Sequence, residues 1–98
     1  MLEKNMRLKW SEYALSKYSE QIDYIASRNP TAAAEIEAAI EKTLNRILMF
    51  PRMGRIGRYP DTFECSVKKA PLIIVYELHE EIIIVLNILH MAQDYQSH

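Results

Sequence analysis

Apolar positions recur at helical spacing through the first half of the chain and at strand spacing through the second. Leu15, Tyr18, Ile22 and Ile25 follow at steps of three, four and three, so one face of a first helix is apolar. Lys17, Glu20 and Asp23 fall between them. Ser11 is placed to cap this helix, Glu12 suits its first turn, and the run predicts a helix from about residue 12 to residue 27. Asn29-Pro30 is a boundary, because proline disfavours helix at the residue before it yet fits the first position of a new one. Ala33, Ile36, Ile40, Leu44 and Ile47 then make a second stripe, ending before Pro51. The short joint between the two predicts an antiparallel helical hairpin over about residues 12–49.

Two stretches read as strands by their period of two. Met6 to Trp10 alternates apolar and basic residues ahead of the first helix. After the second helix, Phe63, Cys65 and Val67 alternate with Glu64, Ser66 and Lys68. Leu72–Leu78 and Ile82–Leu89 flank the polar turn His79-Glu80-Glu81 and predict a β-hairpin. Pairing Leu78 with Ile82 puts Leu72, Ile74, Tyr76, Ile84, Leu86 and Ile88 on one face. Ile73, Val75, Glu77, Ile83, Val85, Asn87 and Leu89 then fall on the other. That second face is also mostly apolar, whereas a sheet covered on one side alternates apolar and polar residues. A covering element is therefore expected: the C-terminal segment 91–98, a second copy, or a different chain. The architecture expected is one α+β domain over residues 1–98, with a loop at 50–62 and a sheet at about 63–89.

Composition narrows the class. The chain has 98 residues, 49% hydrophobic and 26% charged, as in an ordinary globular domain. One cysteine, Cys65, excludes an internal disulfide framework and fits a reducing cytoplasm. No apolar run reaches a membrane span, and no apolar signal core follows the N-terminal charges, so a cytoplasmic location without membrane attachment is expected. Net charge is −1, but residues 51–69 carry +3 while residues 70–98 carry −4 and no Lys or Arg. Composition therefore does not favour bulk nucleic-acid binding, which usually needs a broad basic face.

Candidate chemistry is sparse. His79 and His90 lie far apart in sequence, no Cys/His metal spacing exists, and neither a metal nor a cofactor is expected. Gly54-Arg55-Ile56-Gly57 lacks the pattern and the lysine of a phosphate loop. Arg55 and Arg58 are the foremost candidates. Guanidinium groups stabilise charge on a phosphate or pair with carboxylates, and here either one also has Glu64 or Glu77 to neutralise. His90, with Gln93, Asp94 and Tyr95 after it, is a candidate acid or base at a cleft edge.

From Trp10 to Tyr95 the chain resembles toxins of the RelE/ParE superfamily, from bacterial type II toxin–antitoxin modules. The resemblance rests on Asp23-Tyr24-Ile25-Ala26 with Asn29-Pro30 and Ala32-Ala33, and on Phe50 through Arg58. Pro71-Leu72-Ile73-Ile74-Val75-Tyr76 and Ile88-Leu89-His90 with Gln93 complete it. It implies a helical hairpin on a curved, mainly antiparallel sheet joined by an N-terminal strand, in the order β-α-α-β-β-β. It also implies a cognate antitoxin whose C-terminal segment wraps the toxin, in a hetero-oligomeric complex. RelE-like members cut messenger RNA on the ribosome with several basic side chains; ParE-like members inhibit DNA gyrase by protein contacts. Two positions that are commonly arginine in the family are Phe63 and Glu77 here. A carboxylate opposes the charge that builds on a cleaved phosphodiester, so the resemblance leans toward a ParE-like toxin. Arg55, Arg58, His90 and Tyr95 are the catalytic set if the chain is instead a ribosome-dependent endonuclease. Arg55, Arg58, Ile73, Val75, Glu77, Ile83, Val85, Asn87 and Leu89 are the expected antitoxin- or target-binding residues. An inactive chain that only binds its antitoxin is the third alternative.

Overall fold

The computed structural model describes residues 6–90. Strand β1 (Arg7–Trp10) leads into helix α1 (Glu12–Arg28), and helix α2 (Pro30–Met49) follows after a single residue. Both caps are the ones expected. Ser11 Oγ accepts from the Ala14 N–H at 3.0 Å, and Asn29 Oδ1 accepts from the Ala32 N–H at 3.0 Å, ahead of Pro30. Four further strands complete the chain: β2 (Arg55–Ile56), β3 (Thr62–Ser66), β4 (Leu72–Leu78) and β5 (Ile82–His90). They form one sheet in the order β1-β5-β4-β3-β2, antiparallel except where β1 lies parallel to β5. This is the expected α+β arrangement with one addition, the two-residue β2 inside the 50–62 loop. Two residues are too few for an alternation to be seen.

The helical hairpin packs on one face of the sheet. Ala14, Ile40, Leu44 and Ile47 meet Cys65, Val67, Leu72, Ile74, Tyr76, Ile83, Val85 and Ile88 in a single core. The α2 stripe is the one the spacing predicts. On α1 the stripe is displaced, since Ala14 is fully buried whereas Leu15 is 52% exposed. The cause is the start of the helix. Ser11 N–H donates to Val85 O at 2.9 Å and its hydroxyl to Leu86 O at 3.4 Å, pinning the first turn against β5 and rotating Ala14 inward. Tyr18 remains on the inner side, stacked on Trp10 with ring centroids 5.2 Å apart. Burial, then the charges of Glu37 and Glu41, push its phenol up to about 12.

The β4–β5 register differs from the expected pairing. His79 N–H donates to Ile82 O at 2.9 Å, so Leu78 pairs with Ile83 and the turn holds four residues rather than three. One residue of slip moves a strand's side chains to the opposite face. Ile83 and Val85 therefore enter the helix-side core, both fully buried, and are not part of the second face. A bulge restores the expected parity further on: Tyr76 pairs with Val85 and Val75 with Asn87, leaving Leu86 as the extra residue. Ile73, Val75, Glu77, Asn87 and Leu89 remain opposite the helices. Ile73 and Val75 are nevertheless buried.

Candidate functional site

The loop from Phe50 to Thr62 is held down by one core residue. Tyr76 belongs to the core, but its hydroxyl donates to Pro51 O at 2.7 Å and accepts from the Gly54 N–H at 3.3 Å. Phe63 stacks on the same ring, with centroids 5.6 Å apart, so it serves the helix side of β3. Farther along, Gly57 N–H donates to Thr62 O at 2.8 Å, and Thr62 Oγ1 donates to Tyr59 O at 2.7 Å. Asp61 takes the left-handed conformation at φ 62 that this tight return requires. These bonds lay Arg55 opposite Glu64 in the β2–β3 pair.

Glu64 is the centre of the site. Because Phe63, Cys65 and Val67 turn toward the helices, Glu64 turns to the other face, beside Val75 of β4. Its side chain is only 3% exposed, while those of Arg55 and Arg58 are 66% and 38% exposed. Arg58 Nε donates to Oε2 at 3.0 Å and Arg58 N–H to the same oxygen at 3.2 Å. Nη2 of Arg58 and Nη2 of Arg55 reach Oε1 at 3.5 and 3.3 Å. Burial would raise the carboxyl's pKa, but the Arg58 bonds, then the Arg55 bond, outweigh it and hold Glu64 below its ordinary value. Both arginines thus belong to one carboxylate. The bonding that sequence left open between Glu64 and Glu77 goes to Glu64.

A depressed carboxyl pKa has a fixed sign in stability. The contribution is fully present above the unfolded-state value and is lost as pH falls through the folded one. Urea midpoints should therefore drop from about pH 5 downward. Glu64→Gln should flatten that part of the profile, and an unchanged profile would show that Glu64 does not titrate as described.

The other candidate residues lie apart from this centre. Glu77 shares the face of Glu64, opposite Thr62, and its Oε1 lies 3.0 Å from His79 Nε2. His90, paired with Leu72 at the end of β5, lines a pocket of about 280 Å³ with Tyr18, Ile22, Ile25 and Ile36. It is therefore on the helix side of the sheet, and its buried Nδ1 has no hydrogen-bond partner among the described residues. The sheet separates it from Arg55 and Arg58. Tyr95 lies outside the described residues. No group of three or more His, Cys, Asp or Glu among the described residues is arranged to hold a metal. Among the same residues, no helix is long and apolar enough to cross a membrane.

Sequence reasoning missed an apolar cluster next to the loop. Met49 and Phe50 are exposed, and with Met6, Met53 and Leu78 they line a cleft of about 650 Å³. The signal was available, since all three residues at 49, 50 and 53 fall beyond the last buried position of the α2 stripe.

A helical hairpin over one face of such a sheet is a fold shared with toxin chains of known structure. The sequence matches the family described as ParE toxin of type II toxin-antitoxin system, parDE, over residues 8–95. The chain belongs to this family of toxins. It is 32% identical over 89 residues to the protein Y4kP of Sinorhizobium fredii, covering 91% of this chain and 92% of that one. Its fold is similar to a chain of the chromosomal ParDE system from P. aeruginosa, with TM-score 0.77 and 18% identity, covering 88% of this chain and 96% of that one. It is also similar to a chain of the E. coli RelBE toxin-antitoxin complex, with TM-score 0.60 and 18% identity over 85% and 93% of the two chains.

Proposed function

We propose that this toxin arrests growth by binding a protein target such as DNA gyrase, without cutting RNA, and that a cognate antitoxin neutralises it on the same surface. The observation that carries the reading is the commitment of both arginines to Glu64. A nuclease must offer positive charge to the transition state, and here a buried carboxylate holds that charge while Glu77 adds another anion to the same face. His90 sits across the sheet, out of line with any phosphate held at the arginines.

Protein binding has better support. Arg55 extends outward from its bond with Glu64 and offers its remaining donors to a carboxylate on a partner. The Met49–Phe50–Met53 cleft at the base of the same loop supplies the apolar area that protein interfaces need at their centre. Asn87 and Leu89 remain partly exposed on the sheet face. An antitoxin partner is supported by the relatives of the same fold, whose structures are of a ParDE system and a RelBE complex.

The test is DNA supercoiling by gyrase in the presence of the purified toxin. Inhibition that saturates with toxin, and is reversed by the antitoxin encoded beside it, is expected. Normal supercoiling at saturating toxin would overturn gyrase as the target.

A further inference from the structure

A second concentration of positive charge flanks the arginine loop in sequence and gathers where α2 meets the β3–β4 turn. On α2, Glu35, Ala38, Ala39, Lys42 and Arg46 share one face by their spacing. The β3–β4 turn brings Lys68 and Lys69 up to it, and together these residues line a concavity of about 300 Å³. The turn is fixed rather than loose. Val67 N–H donates to Leu72 O at 2.9 Å, Ala70 N–H donates to Val67 O at 3.4 Å, and Lys69 takes the left-handed corner at φ 66.

Unlike Arg55 and Arg58, none of Lys42, Arg46, Lys68 and Lys69 is paired with a carboxylate among the described residues. Glu35 is the lone anion lining the concavity. Thr43, which also lines it, already donates its hydroxyl to Ala39 O at 2.8 Å. Four like charges with a single counter-charge among them repel one another, and a polyanion that enters relieves that repulsion.

We propose that this concavity binds the phosphate backbone of a nucleic acid. Two features favour that partner over an acidic protein segment. Three of the four cations are lysines, point charges on flexible stems that follow a repeating polyanion, whereas carboxylates are best held by paired arginine forks. The walls are Ala38, Ala39 and Thr43, with no aromatic or large aliphatic side chain to anchor a protein partner. Net charge −1 for the whole chain hides the cluster, because residues 70–98 carry −4 and compensate it. Binding here leaves the arginine loop free, so it stands or falls independently of the gyrase reading.

The experiment is fluorescence anisotropy on the purified toxin with three probes: a mixed-sequence DNA duplex, a single-stranded RNA of equal length, and a polyglutamate peptide. Binding to DNA or RNA is expected, the tighter of the two identifying the source of the phosphates. With three to four phosphates neutralised, log K should fall against log salt with a slope of about −3 on the duplex. That slope is a loss on the order of 50-fold between 50 and 200 mM salt. The triple variant Lys42→Gln, Lys68→Gln, Lys69→Asn should flatten the slope by about 2 to 3, and Glu35→Lys should steepen it by about 1. The second variant adds charge at an exposed helix position and reports even where the first loses its fold. No binding of either nucleic acid at 50 mM salt would overturn the proposal. So would tighter binding of polyglutamate, or a slope that neither variant changes.

Discussion

Replacing Arg58 with alanine should destabilise the protein by about 2 kcal/mol, with a fall in the melting midpoint of roughly 10 °C for a domain of this size. The side chain supplies two of the bonds that offset the desolvation of Glu64, and without it a carboxylate 3% exposed keeps only the Arg55 bond and a main-chain N–H. Fully buried pairs cost more when broken, roughly 3–5 kcal/mol, but here the guanidinium is partly solvated and one partner stays. Arg55→Ala should cost less than about 1 kcal/mol, because that side chain is largely in water. The decisive comparison is a double-mutant cycle. In a Glu64→Gln background the cost of Arg58→Ala should shrink by about 1–2 kcal/mol, since the buried charge that needed the arginine has gone. Additive costs would mean that the two side chains do not act as a pair.

Gly54→Ala should be comparably damaging, by about 2–3 kcal/mol, for a reason unrelated to backbone conformation. A Cβ at position 54 would lie 2.9 Å from the Glu64 carbonyl oxygen and 2.9 Å from the Tyr76 hydroxyl. Neither can move cheaply. The first belongs to β3, and the second is bonded to Pro51 at 2.7 Å. The loop would lift from the sheet, and with it the two arginines. Gly57 is constrained in the same way by Thr62, whose main-chain oxygen would lie 3.1 Å from an added Cβ. Equilibrium urea unfolding of Gly54→Ala gives the cost directly, and a stability within 0.5 kcal/mol of the parent would show that the loop does not pack as described.

These glycines show how far the sequence could be read. Their failure to match a phosphate loop was plain, but their real task, letting the chain pass close over β3, depends on an approach that no local pattern encodes. The helical hairpin was legible because Ser11 and Asn29-Pro30 state its limits and the α2 stripe is regular. The face assignment of β5 was not. Whether His79-Glu80-Glu81 closes with Leu78 on Ile82 or on Ile83 is set by one turn hydrogen bond, and that bond sends Ile83 and Val85 into the core. Arg55 and Arg58 stood out in the sequence, as did Glu64 as a possible partner. That both converge on that one carboxylate required the β2–β3 pairing, which places Arg55 opposite Glu64. His90 was a candidate at a cleft edge, and it does line a pocket, but strand parity sets that pocket beside α1, across the sheet from the arginines.

On the proposed reading, the braced pair lets a toxin chain keep arginines on its surface for a protein partner rather than for cutting RNA. Held at one end by Glu64, the guanidiniums are oriented before a partner arrives, so less side-chain entropy is lost on binding. The most direct test is to map the 5′ ends of cellular messages after the toxin is induced without its antitoxin. Arrested growth with no new ends in translated messages is the predicted result. Discrete new cuts within translated messages, lost in Arg58→Lys or His90→Ala variants that fold normally, would contradict it.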